Sequence, residues 1–499
     1  MQSRWSRILA IATTIPFSKP ALRVSERRLL LMGMDVVCLV ASAILAMVVW
    51  ARFRTDIVFT GVFVRQHIGW LAGLPVIWFI LFQVNGLYEL QSSARVRTTI
   101  RRLSVVILEF TALYILLYYL LTPTAGSSQI LDSLGLPRLL RVVPIWFVIF
   151  SWLFLAGWRA LYANLLTGDH FRRRTIIVGT DLPGQAILNT LRNLASGEYT
   201  VLGFVTTEGE GSLNSADTVF DDVSVLGTFE QLPALVRQHE ANEIVVATDH
   251  SPAPSLAKVL LHCYEKGTEI VEMPTLYEQL TGRLPVQYLG PRLSFLLPEP
   301  PATWPLYRIW RRLFELCSVV VGLPLVVMLI PIVALCNRMW APGPLFYRQE
   351  RVGQGGRVFR LLKFRTMATD AEDKTGAVWA KKDDPRVTRV GNRLRKARID
   401  ELPQFWNVLK GEMSLIGPRP ERPEFTSQLE HKIPFYRARH AVKPGLTGWA
   451  QVNRGYSSSV DSSLEKLEYD LYYIKHQGIA LDFLITLRTI SVVLTLKGT

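Results

Sequence analysis

Four long apolar stretches fill most of the first 165 residues and constrain the fold more than any other feature of this chain. They cover about residues 29–50, 68–88, 103–121 and 139–161, and each approaches the ~20 residues that a helix needs to cross a bilayer. The whole chain is 49% hydrophobic and only 19% charged, which is typical of membrane segments combined with soluble domains. We therefore expect residues 1–165 to form a domain of four transmembrane helices.

Basic residues in the loops predict the orientation of these helices. They are frequent before the first stretch, between the second and third, and after the fourth, where Arg172, Arg173 and Arg174 follow one another. Because cytoplasmic loops of membrane proteins carry an excess of Lys and Arg, both the N-terminus and everything after residue 165 are predicted to be cytoplasmic. The first stretch is too long for a cleavable signal peptide and lacks a small-residue cleavage site.

A fifth apolar stretch, residues 316–336, contains no charged residue and by length alone could be another span. It carries Gly322, Pro324 and Pro331 in its interior, and a central proline removes a backbone hydrogen bond and kinks a helix. Both flanks are basic, so the charge bias gives no reason to cross. We expect a re-entrant membrane helix at about residues 309–336, broken at Pro324. A kinked true span and a buried helix of a soluble core remain alternatives.

Residues 170–300 show a different pattern, in which short β-rich runs alternate with helical ones. The runs at 175–179, 200–205, 242–248 and 268–274 predict a parallel sheet with helices on its faces, a Rossmann-like α/β domain. The first strand ends in GTDLPG, where Asp181 replaces the middle glycine of a dinucleotide-binding fingerprint. We assign no chemistry to this domain, and leave open whether it binds a nucleotide.

The last domain, residues 301–499, begins its charged region with a predicted β-hairpin. Residues 345–367 read as two strands around a Gln-Gly-Gly turn, and Lys363 and Arg365, two residues apart, are predicted to share one face of the second strand. Of the net charge of +15, a surplus of 7 falls between Glu350 and Asp400. Such a cluster could be only a solvated face attracted to anionic lipid.

The segment 384–420 argues for more than a solvated face. Asp400 and Glu401 precede Pro403, which favours the first turn of a helix running to Lys410 and ending at Gly411. One of the carboxylates could simply cap that helix, which is worth about 0.5 to 2 kcal/mol. Alternatively, two adjacent carboxylates at a helix start can hold a divalent cation and supply a nucleophile.

Arginines around the two carboxylates favour a site for phosphate groups. Arg395 lies shortly upstream, and Arg419 stands between two prolines in GPRP, where its guanidinium is rigidly presented. A helix N-terminus surrounded by such cations is suited to bind phosphate. The predicted phosphate-binding set is Lys363, Arg365, Arg395 and Arg419.

Four motifs in this region resemble those of the bacterial sugar transferases, the polyprenyl-phosphate sugar-1-phosphate transferases. They are KFRTM (363–367), RIDELPQFWNVLKGEMSLIGPRP (398–420), KPGLTGWAQVN (443–453) and DLYYIKHQGIALDFLITLRT (470–489). The similarity covers about residues 305–499, and the preceding domains are similar to those of the long family members. The implied fold is a mixed membrane protein with four transmembrane α-helices, a Rossmann-like α/β domain and an α+β catalytic domain with a re-entrant membrane helix.

The resemblance also implies the reaction. A hexose 1-phosphate would pass from a UDP-sugar, UDP-glucose first and UDP-galactose as the alternative, to a membrane polyprenyl phosphate such as undecaprenyl phosphate, with release of UMP. This would be the first membrane step of exopolysaccharide, capsule or O-antigen synthesis. Asp400 would act as nucleophile, Glu401 with Asp400 would hold Mg²⁺, and Pro324 would mark the helix break.

The implied location and partners follow from the same family. The chain would be a multi-pass protein of the bacterial inner membrane with its catalytic domain on the cytoplasmic face. Its partners would be the UDP-sugar, the lipid phosphate and the membrane, with a homodimer left open and no nucleic acid. Rivals from other classes are a Rossmann oxidoreductase or epimerase, which would need an intact glycine fingerprint, and a non-catalytic nucleotide-sensing regulator or scaffold, in which the Asp-Glu pair would be dispensable.

Overall fold

The structure of this chain is a computed structural model that describes residues 24–53, 73, 76–88, 96–121, 143–166, 172–207, 219–220, 222–248, 253–289, 304–369, 371, 384–454 and 460–494. The chain divides into two units, Met1–Leu280 and Thr281–Thr499. The three domains predicted from the sequence therefore stay a prediction in their exact bounds.

The first unit begins with apolar helices that pack through buried side chains. The helices are α1 (Val24–Arg52), α2 (Val96–Leu121) and α3 (Val143–Leu161), and residues 76–84 are also helical. An ion pair between Asp35 and Arg159, both fully buried, joins α1 to α3. Aromatic rings of Trp78, Phe110 and Phe147 contact one another across three of the helices.

Three helices in the described part of the chain are long and apolar enough to cross a membrane: Glu26–Arg52, Ile145–Asn164 and Pro305–Trp340. The first two coincide with the first and fourth predicted spans. The third predicted span is helical within α2, and part of the second lies outside the described residues. The chain thus has membrane-length helices, whereas the count of four spans stays a prediction.

The rest of the first unit is the predicted α/β domain. Its elements are β1 (Arg173–Val178), α4 (Leu182–Leu194), β2 (Tyr199–Thr206), β3 (Val219–Phe220), β4 (Val223–Thr228), α5 (Leu232–Gln238), β5 (Glu243–Val246), α6 (Pro254–Glu265), β6 (Glu269–Glu272) and α7 (Met273–Thr281). The strand order is β3-β4-β2-β1-β5-β6, and only β3 is antiparallel to its neighbour. The parallel sheet is confirmed, although β3, β4 and α5 were not predicted from the sequence.

Packing inside the domain accounts for the two glycines of the incomplete fingerprint. Gly179 has φ +113°, and a Cβ there would lie against the carbonyl oxygen of Ala247. A Cβ on Gly184 would lie against the carbonyl oxygen of Gly179. The glycines are therefore required by backbone contacts at the end of β1, independently of any bound nucleotide.

The fifth apolar stretch forms the first helix of the second unit, α8 (Trp304–Trp340), with Pro324 and Pro331 in its interior. Its 37 residues would extend about 55 Å at 1.5 Å per residue. Pro324 lies inside one continuous helical segment, and the membrane break expected at this residue stays a prediction. Helices accept an internal proline at the cost of one hydrogen bond and a kink. The re-entrant topology stays a prediction.

One face of α8 packs along the second unit over most of its length. Val319, Val326 and Val333 are nearly fully buried at spacings of seven residues, with Leu323 and Ile330 between them in the same contacts. The opposite face is apolar and exposed, for example at Val321 and Met328. The helix is thus divided between a protein-facing stripe and a bare apolar face.

The remaining elements of the second unit form the platform under α8. They are β7 (Phe346–Val352), β8 (Val358–Phe364), α9 (Arg389–Lys396), α10 (Phe405–Lys410), β9 (Ser414–Ile416), α11 (Pro423–Lys432), β10 (Gly445–Thr447), α12 (Trp449–Asn453), α13 (Val460–Lys475) and α14 (Ile479–Leu494). Strands β7 and β8 form the predicted antiparallel hairpin. A 3₁₀ helix, Ile399–Gln404, precedes α10, so helical structure begins before the predicted start at Pro403.

Residues 281–289 contribute to the core of the second unit. Leu284, Val286 and Leu289 are almost completely buried among residues of β9, α11 and α13. Trp449 donates its indole hydrogen to the carbonyl oxygen of Gly282 at 2.9 Å. The second unit therefore starts about 20 residues before the predicted domain boundary at residue 301.

Candidate active site

The carboxylate of Glu401 is the centre of a compact charged cluster in the second unit. Lys363 Nζ donates to its Oε1 at 3.0 Å, and Arg419 Nη2 donates to the same oxygen at 2.7 Å. Arg398 Nη1 lies 3.5 Å from Oε2. Three predicted site residues, Lys363, Glu401 and Arg419, are thus brought together.

Three separate elements position this cluster. Lys363 lies near the end of β8, Glu401 lies in the 3₁₀ helix, and Arg419 follows β9 between two prolines that stiffen the loop. Arg398, directly before the 3₁₀ helix, has φ +53°, a left-handed conformation that costs energy for a non-glycine residue. The left-handed turn at Arg398 thus directly precedes the 3₁₀ helix that carries Asp400 and Glu401.

The charges around Glu401 keep its carboxylate ionised. Burial alone would raise the pKa of Glu401, but Arg419 and Lys363 outweigh burial and hold this pKa well below its usual range. Burial lowers the pKa of Lys363, and Glu401 beside it acts in the opposite direction. Glu401 is therefore a fixed anion that holds two cations in place.

Asp400 is the second carboxylate of the pair and has a different environment. Its side chain is buried, and this burial raises its pKa, while Lys363 acts to lower it and Glu401 to raise it further. Neither Asp400 nor Glu401 is the N-cap of the 3₁₀ helix or of α10; those positions are Arg398 and Gln404. The capping alternative is therefore not what the structure shows. A carboxylate of raised basicity among cations is suited to nucleophilic attack on phosphorus.

Arg365 is placed apart from this cluster, and its role in binding phosphate stays a prediction. Its guanidinium donates to the carbonyl oxygens of Pro344 at 2.7 Å and Met367 at 3.4 Å, and also to that of Ala341, directly after α8. The side chain is buried. Arg365 directly follows β8. Two of its acceptors, Ala341 and Pro344, come just after the end of α8, so the side chain satisfies carbonyl groups there.

Arg395, the last member of the predicted set, lies beside Asp400. Its Nε donates to Thr366 Oγ1 at 2.9 Å, and its charge is close enough to act on Asp400 by lowering that residue's pKa. Thr366 and Arg395 come from the β8 end and from α9. The structure thus places the charge of Arg395 close enough to act on the Asp400 carboxylate.

A buried pair that was not predicted from the sequence holds the Arg419 loop. Arg439 donates to Asp470 Oδ2 at 2.7 Å, to the hydroxyl of Tyr436 at 2.6 Å and to the carbonyl oxygen of Arg419 at 3.0 Å. Asp470 and Arg419 are distant from Arg439 in the sequence, so no local spacing could have revealed the network. Arg439 is a positioning residue for Arg419.

The donor set at this site fits a magnesium ion only together with a phosphate substrate. Among the residues that the structure describes, no group of three or more His, Cys, Asp or Glu side chains is arranged to hold a metal. Mg²⁺ is often bound by one or two carboxylates plus substrate phosphates and water. Asp400 and Glu401 meet that limited requirement, although Lys363 and Arg419 already engage one oxygen of Glu401.

Family models match both units. Residues 306–496 match the model described as bacterial sugar transferase, and residues 83–274 match the model described as CoA-binding domain. The first match contains all the residues of the Glu401 cluster and most of the second unit.

Curated relatives agree with the first match. The UDP-N-acetylgalactosamine-undecaprenyl-phosphate N-acetylgalactosaminephosphotransferase of Aeromonas hydrophila is 43% identical over 50% of this chain and 57% of its own length. The undecaprenyl-phosphate glucose phosphotransferase of Komagataeibacter xylinus is 36% identical over 53% of this chain and 51% of its own length. This chain thus spans little more than half the length of these two relatives.

A shorter relative is covered more completely. The UDP-glucose:undecaprenyl-phosphate glucose-1-phosphate transferase of Caulobacter vibrioides is 39% identical over 42% of this chain and 79% of its own length. The sequence motifs, the clustered charges and these similarities have one explanation. The chain belongs to the bacterial sugar transferase family.

Proposed function

We propose that this chain transfers a sugar 1-phosphate from a UDP-sugar to a membrane polyprenyl phosphate, with undecaprenyl phosphate as the expected lipid, and releases UMP. The observation that carries the proposal is the buried Asp400 beside Glu401, whose carboxylate fixes Lys363 and Arg419. A nucleophile among fixed cations is what phosphoryl transfer requires of a protein.

The reaction would proceed in two balanced displacements at one phosphorus atom. A carboxylate oxygen of Asp400 attacks the phosphorus that carries the sugar, and the bond from this phosphorus to the UMP oxygen breaks. UMP leaves, and a sugar phosphate remains on Asp400. A phosphate oxygen of the lipid then attacks the same phosphorus and displaces Asp400, which gives a polyprenyl diphosphate sugar and the free carboxylate.

The cations would stabilise charge on the transferring group. Lys363, Arg395 and Arg419 surround the carboxylate pair, and preorganised cations stabilise charge that develops in the transition state. Mg²⁺ held by Glu401 and Asp400 would neutralise charge on the diphosphate. Glu401→Gln should weaken the Mg²⁺ dependence and lower the rate without closing the chemical path.

For the sugar, UDP-glucose is proposed first, in agreement with the names of two of the relatives. The name of the Aeromonas hydrophila relative supports UDP-N-acetylgalactosamine as the second candidate. Membranes should be incubated with radiolabelled UDP-glucose, UDP-N-acetylgalactosamine and UDP-galactose, and the lipid fraction extracted. The sugar whose label enters the lipid at the highest kcat/KM is the donor.

We place the catalytic unit on the cytoplasmic face of the inner membrane, with both ends of α8 on that side. The continuous packing of α8 on the second unit from Val319 to Val333 supports this topology, as do its basic flanks. Cysteines introduced near Arg312 and Arg348, in a chain without native cysteines, should both be protected from an impermeant reagent added outside. Labelling of only one end would establish a true span.

Substitution of Asp400 tests the proposed chemistry. Asp400→Asn keeps the size of the buried side chain but removes the anionic oxygen, so turnover should fall by several orders of magnitude in a folded protein. Wild-type protein given UDP-sugar without lipid should release a burst of UMP close to one per site and retain labelled sugar phosphate. Near-normal turnover of Asp400→Asn, or a wild type that never traps label, would refute the covalent path. A protein inactive with every donor and lipid would favour a scaffold.

A further inference from the structure

A cavity of about 250 Å³ lies in the second unit directly beside the charged cluster. Side chains of α8, α10, β9, β10 and α14 form its walls, including Phe314, Phe405, Leu415, Leu446 and Ile490. An apolar cavity of ~150 Å³ is large enough to bind benzene. This cavity could therefore take an apolar group larger than a benzene ring.

The cavity wall is effectively apolar, because its hydroxyl groups are already hydrogen-bonded inside the protein. Four threonine or serine side chains line it, and each already has a hydrogen-bond partner inside the protein. Ser318, Thr486 and Thr489 donate to the carbonyl oxygens of Phe314, Asp482 and Ile485, and Thr447 Oγ1 lies 2.7 Å from Thr489 Oγ1. A nucleoside or sugar would find few free partners on these walls, whereas hydrocarbon would lose nothing there.

Among the described lining residues, the charged side chains are Arg398 and Glu401, and both lie at one end of the cavity. Glu401 is held by Lys363 and Arg419, as described above. Nε of Arg398 is buried and has no hydrogen-bond partner among the described residues. The left-handed backbone of Arg398 holds this unused donor at the boundary between hydrocarbon walls and the reacting carboxylates.

The helices that form the walls also connect the cavity to apolar surface. α8 is long and apolar enough to cross a membrane and has a bare apolar face. On α14, Phe483 and Ile490 are each about half exposed, and Ile490 is part of the cavity wall. Exposed apolar side chains at both walls would let a lipid chain pass from the bilayer into the cavity.

We infer that the cavity binds the isoprene units next to the phosphate of the lipid acceptor, with Nε of Arg398 donating to that phosphate. The inference rests on the proposed function and adds a location for the acceptor. It explains why an apolar space ends at a strained arginine with a free donor. A lipid with one phosphate head group fits the cavity, because its chain suits the apolar walls and its phosphate suits the charged end. A UDP-sugar fits only the charged end, and a neutral hydrocarbon fits only the apolar walls.

Acceptors of different length test the inference on the full chain. Dimethylallyl, geranyl and farnesyl phosphate carry one, two and three isoprene units. We expect kcat/KM to rise roughly tenfold or more between the one-unit and two-unit acceptors, because the second unit is buried in the cavity, and to change little for units beyond the cavity. If kcat/KM increased by the same factor with each added isoprene unit, or did not change with acceptor length, the inference would be overturned.

A cavity-filling variant should remove this dependence. Leu446→Trp places an indole in the cavity and should lower kcat/KM for geranyl phosphate toward that of the one-unit acceptor, while the UMP burst without lipid persists. Val327→Trp adds the same group to the exposed face of α8 and is the matched control. Equal losses in both variants would mean a general effect on membrane insertion and would contradict the cavity site.

Photocrosslinking gives a second measurement that does not depend on a folded variant. A geranyl phosphate with a diazirine on its second unit should label peptides from α14, 479–494, and from the first half of α8 in wild-type protein. Labelling confined to the exposed α8 face, or to another part of the chain, would overturn the inference. Loss of the UMP burst itself would instead refute the proposed function, so the two failures are distinguishable.

Discussion

Two arginines that look equivalent in the sequence have different tasks at the residue scale. Arg365 donates to three backbone carbonyl groups, whereas Arg419 donates to Glu401. We expect Arg365→Lys to lower the free energy of unfolding by about 2–4 kcal/mol, because a lysine cannot satisfy three carbonyl groups at once. Arg419→Lys should mainly lower turnover. Thermal unfolding and activity, measured on both variants in detergent, check this difference.

The opposite pattern would contradict these assignments. An Arg365→Lys protein that unfolds like wild type but has lost turnover would place Arg365 at the substrate. An Arg419→Lys protein with normal turnover and low stability would remove Arg419 from the site. Arg360→Lys, in an exposed position of β8, is a matched control that should change neither property.

A buried histidine makes stability depend on pH. Burial lowers the pKa of His440 to about 4, and the neighbouring Arg439 and Arg437 add to this shift. The folded protein keeps His440 neutral, while the unfolded chain binds a proton below pH ~6.5. The protonation of His440 therefore costs no stability above pH ~6.5. As the pH falls from that value toward 4, it lowers the free energy of unfolding, by about 2 kcal/mol at pH 5.

The His440 contribution can be isolated by substitution. His440→Gln cannot take up a proton, so its unfolding temperature should fall less between pH 7 and pH 5 than that of wild type. His431 is exposed on α11, and His431→Gln is the matched surface substitution with which His440→Gln is compared. If His440→Gln and wild type lost stability equally over this range, His440 would not be the group responsible.

The centre of the site was easier to predict from the sequence than its surroundings. Asp400 and Glu401 are adjacent, and Arg419 lies between two prolines, so local motifs were enough to select the residues that the fold brings together. The carbonyl partners of Arg365 could not be predicted, because the end of β8 and the end of α8 meet only in the folded unit. Arg439 and Asp470 escaped notice because their contact is long-range and buried, and a single sequence carries no signal for such a pair.

At the element scale, α8 depends on a close approach to α10. Gly322 is buried, and a Cβ there would lie 2.6 Å from the ring of Phe405. Gly322→Ala should therefore force the two helices apart and lower the unfolding temperature, since a methyl group cannot share that space. Gly322→Ala combined with Phe405→Leu should recover part of the loss.

The double variant also shows whether the effect is local. A Cβ added to Gly157 on α3 would meet nothing within 4 Å, so Gly157→Ala is a matched control that should not destabilise the chain. Additive losses from Gly322→Ala and Phe405→Leu would contradict the predicted contact. A coupling that restores stability would confirm that α8 rests on Phe405.

Helices and strands could be predicted where the local sequence determines them. They were missed where packing between distant parts of the chain determines them. The hairpin of β7 and β8 follows from its Gln-Gly-Gly turn, and β1, β2, β5 and β6 follow from alternating β-rich and helical runs. A membrane break at Pro324 stays a prediction, and the buried face of α8 at Val319, Val326 and Val333 packs on the unit on both sides of that residue. The 3₁₀ helix before α10 was also missed, since its start depends on the unusual backbone of Arg398.

At the scale of the whole molecule, the chemistry proposed here lies entirely within the second unit. All members of the Glu401 cluster and the Arg439–Asp470 pair fall between residues 363 and 470, and the unit has its own buried cores. The boundary at residue 301 was predicted from the alternating pattern before it and from the family resemblance after it. Burial of Leu284, Val286 and Leu289 in the core moves the start of a self-contained fragment to Thr281.

Two fragments test this division. A fragment covering Thr281–Thr499 should fold and transfer sugar phosphate to lipid in detergent, because it keeps the complete core and every residue of the site. A fragment starting at residue 301 loses three buried side chains and the partner of the Trp449 indole. Each lost large side chain costs about 2–5 kcal/mol, and a domain is stable by only about 5–15 kcal/mol, so the shorter fragment should be largely unfolded.

Circular dichroism and thermal unfolding of the two fragments, compared with the full chain, separate folding from activity. The longer fragment should retain helical signal and give a UMP burst per folded molecule close to that of the full chain. If it folds but gives no burst, the first unit takes part in the reaction, and the site described here is incomplete. If the fragment from residue 301 folds as well as the longer one, residues 281–289 are dispensable to the core, and the boundary predicted from the sequence is supported.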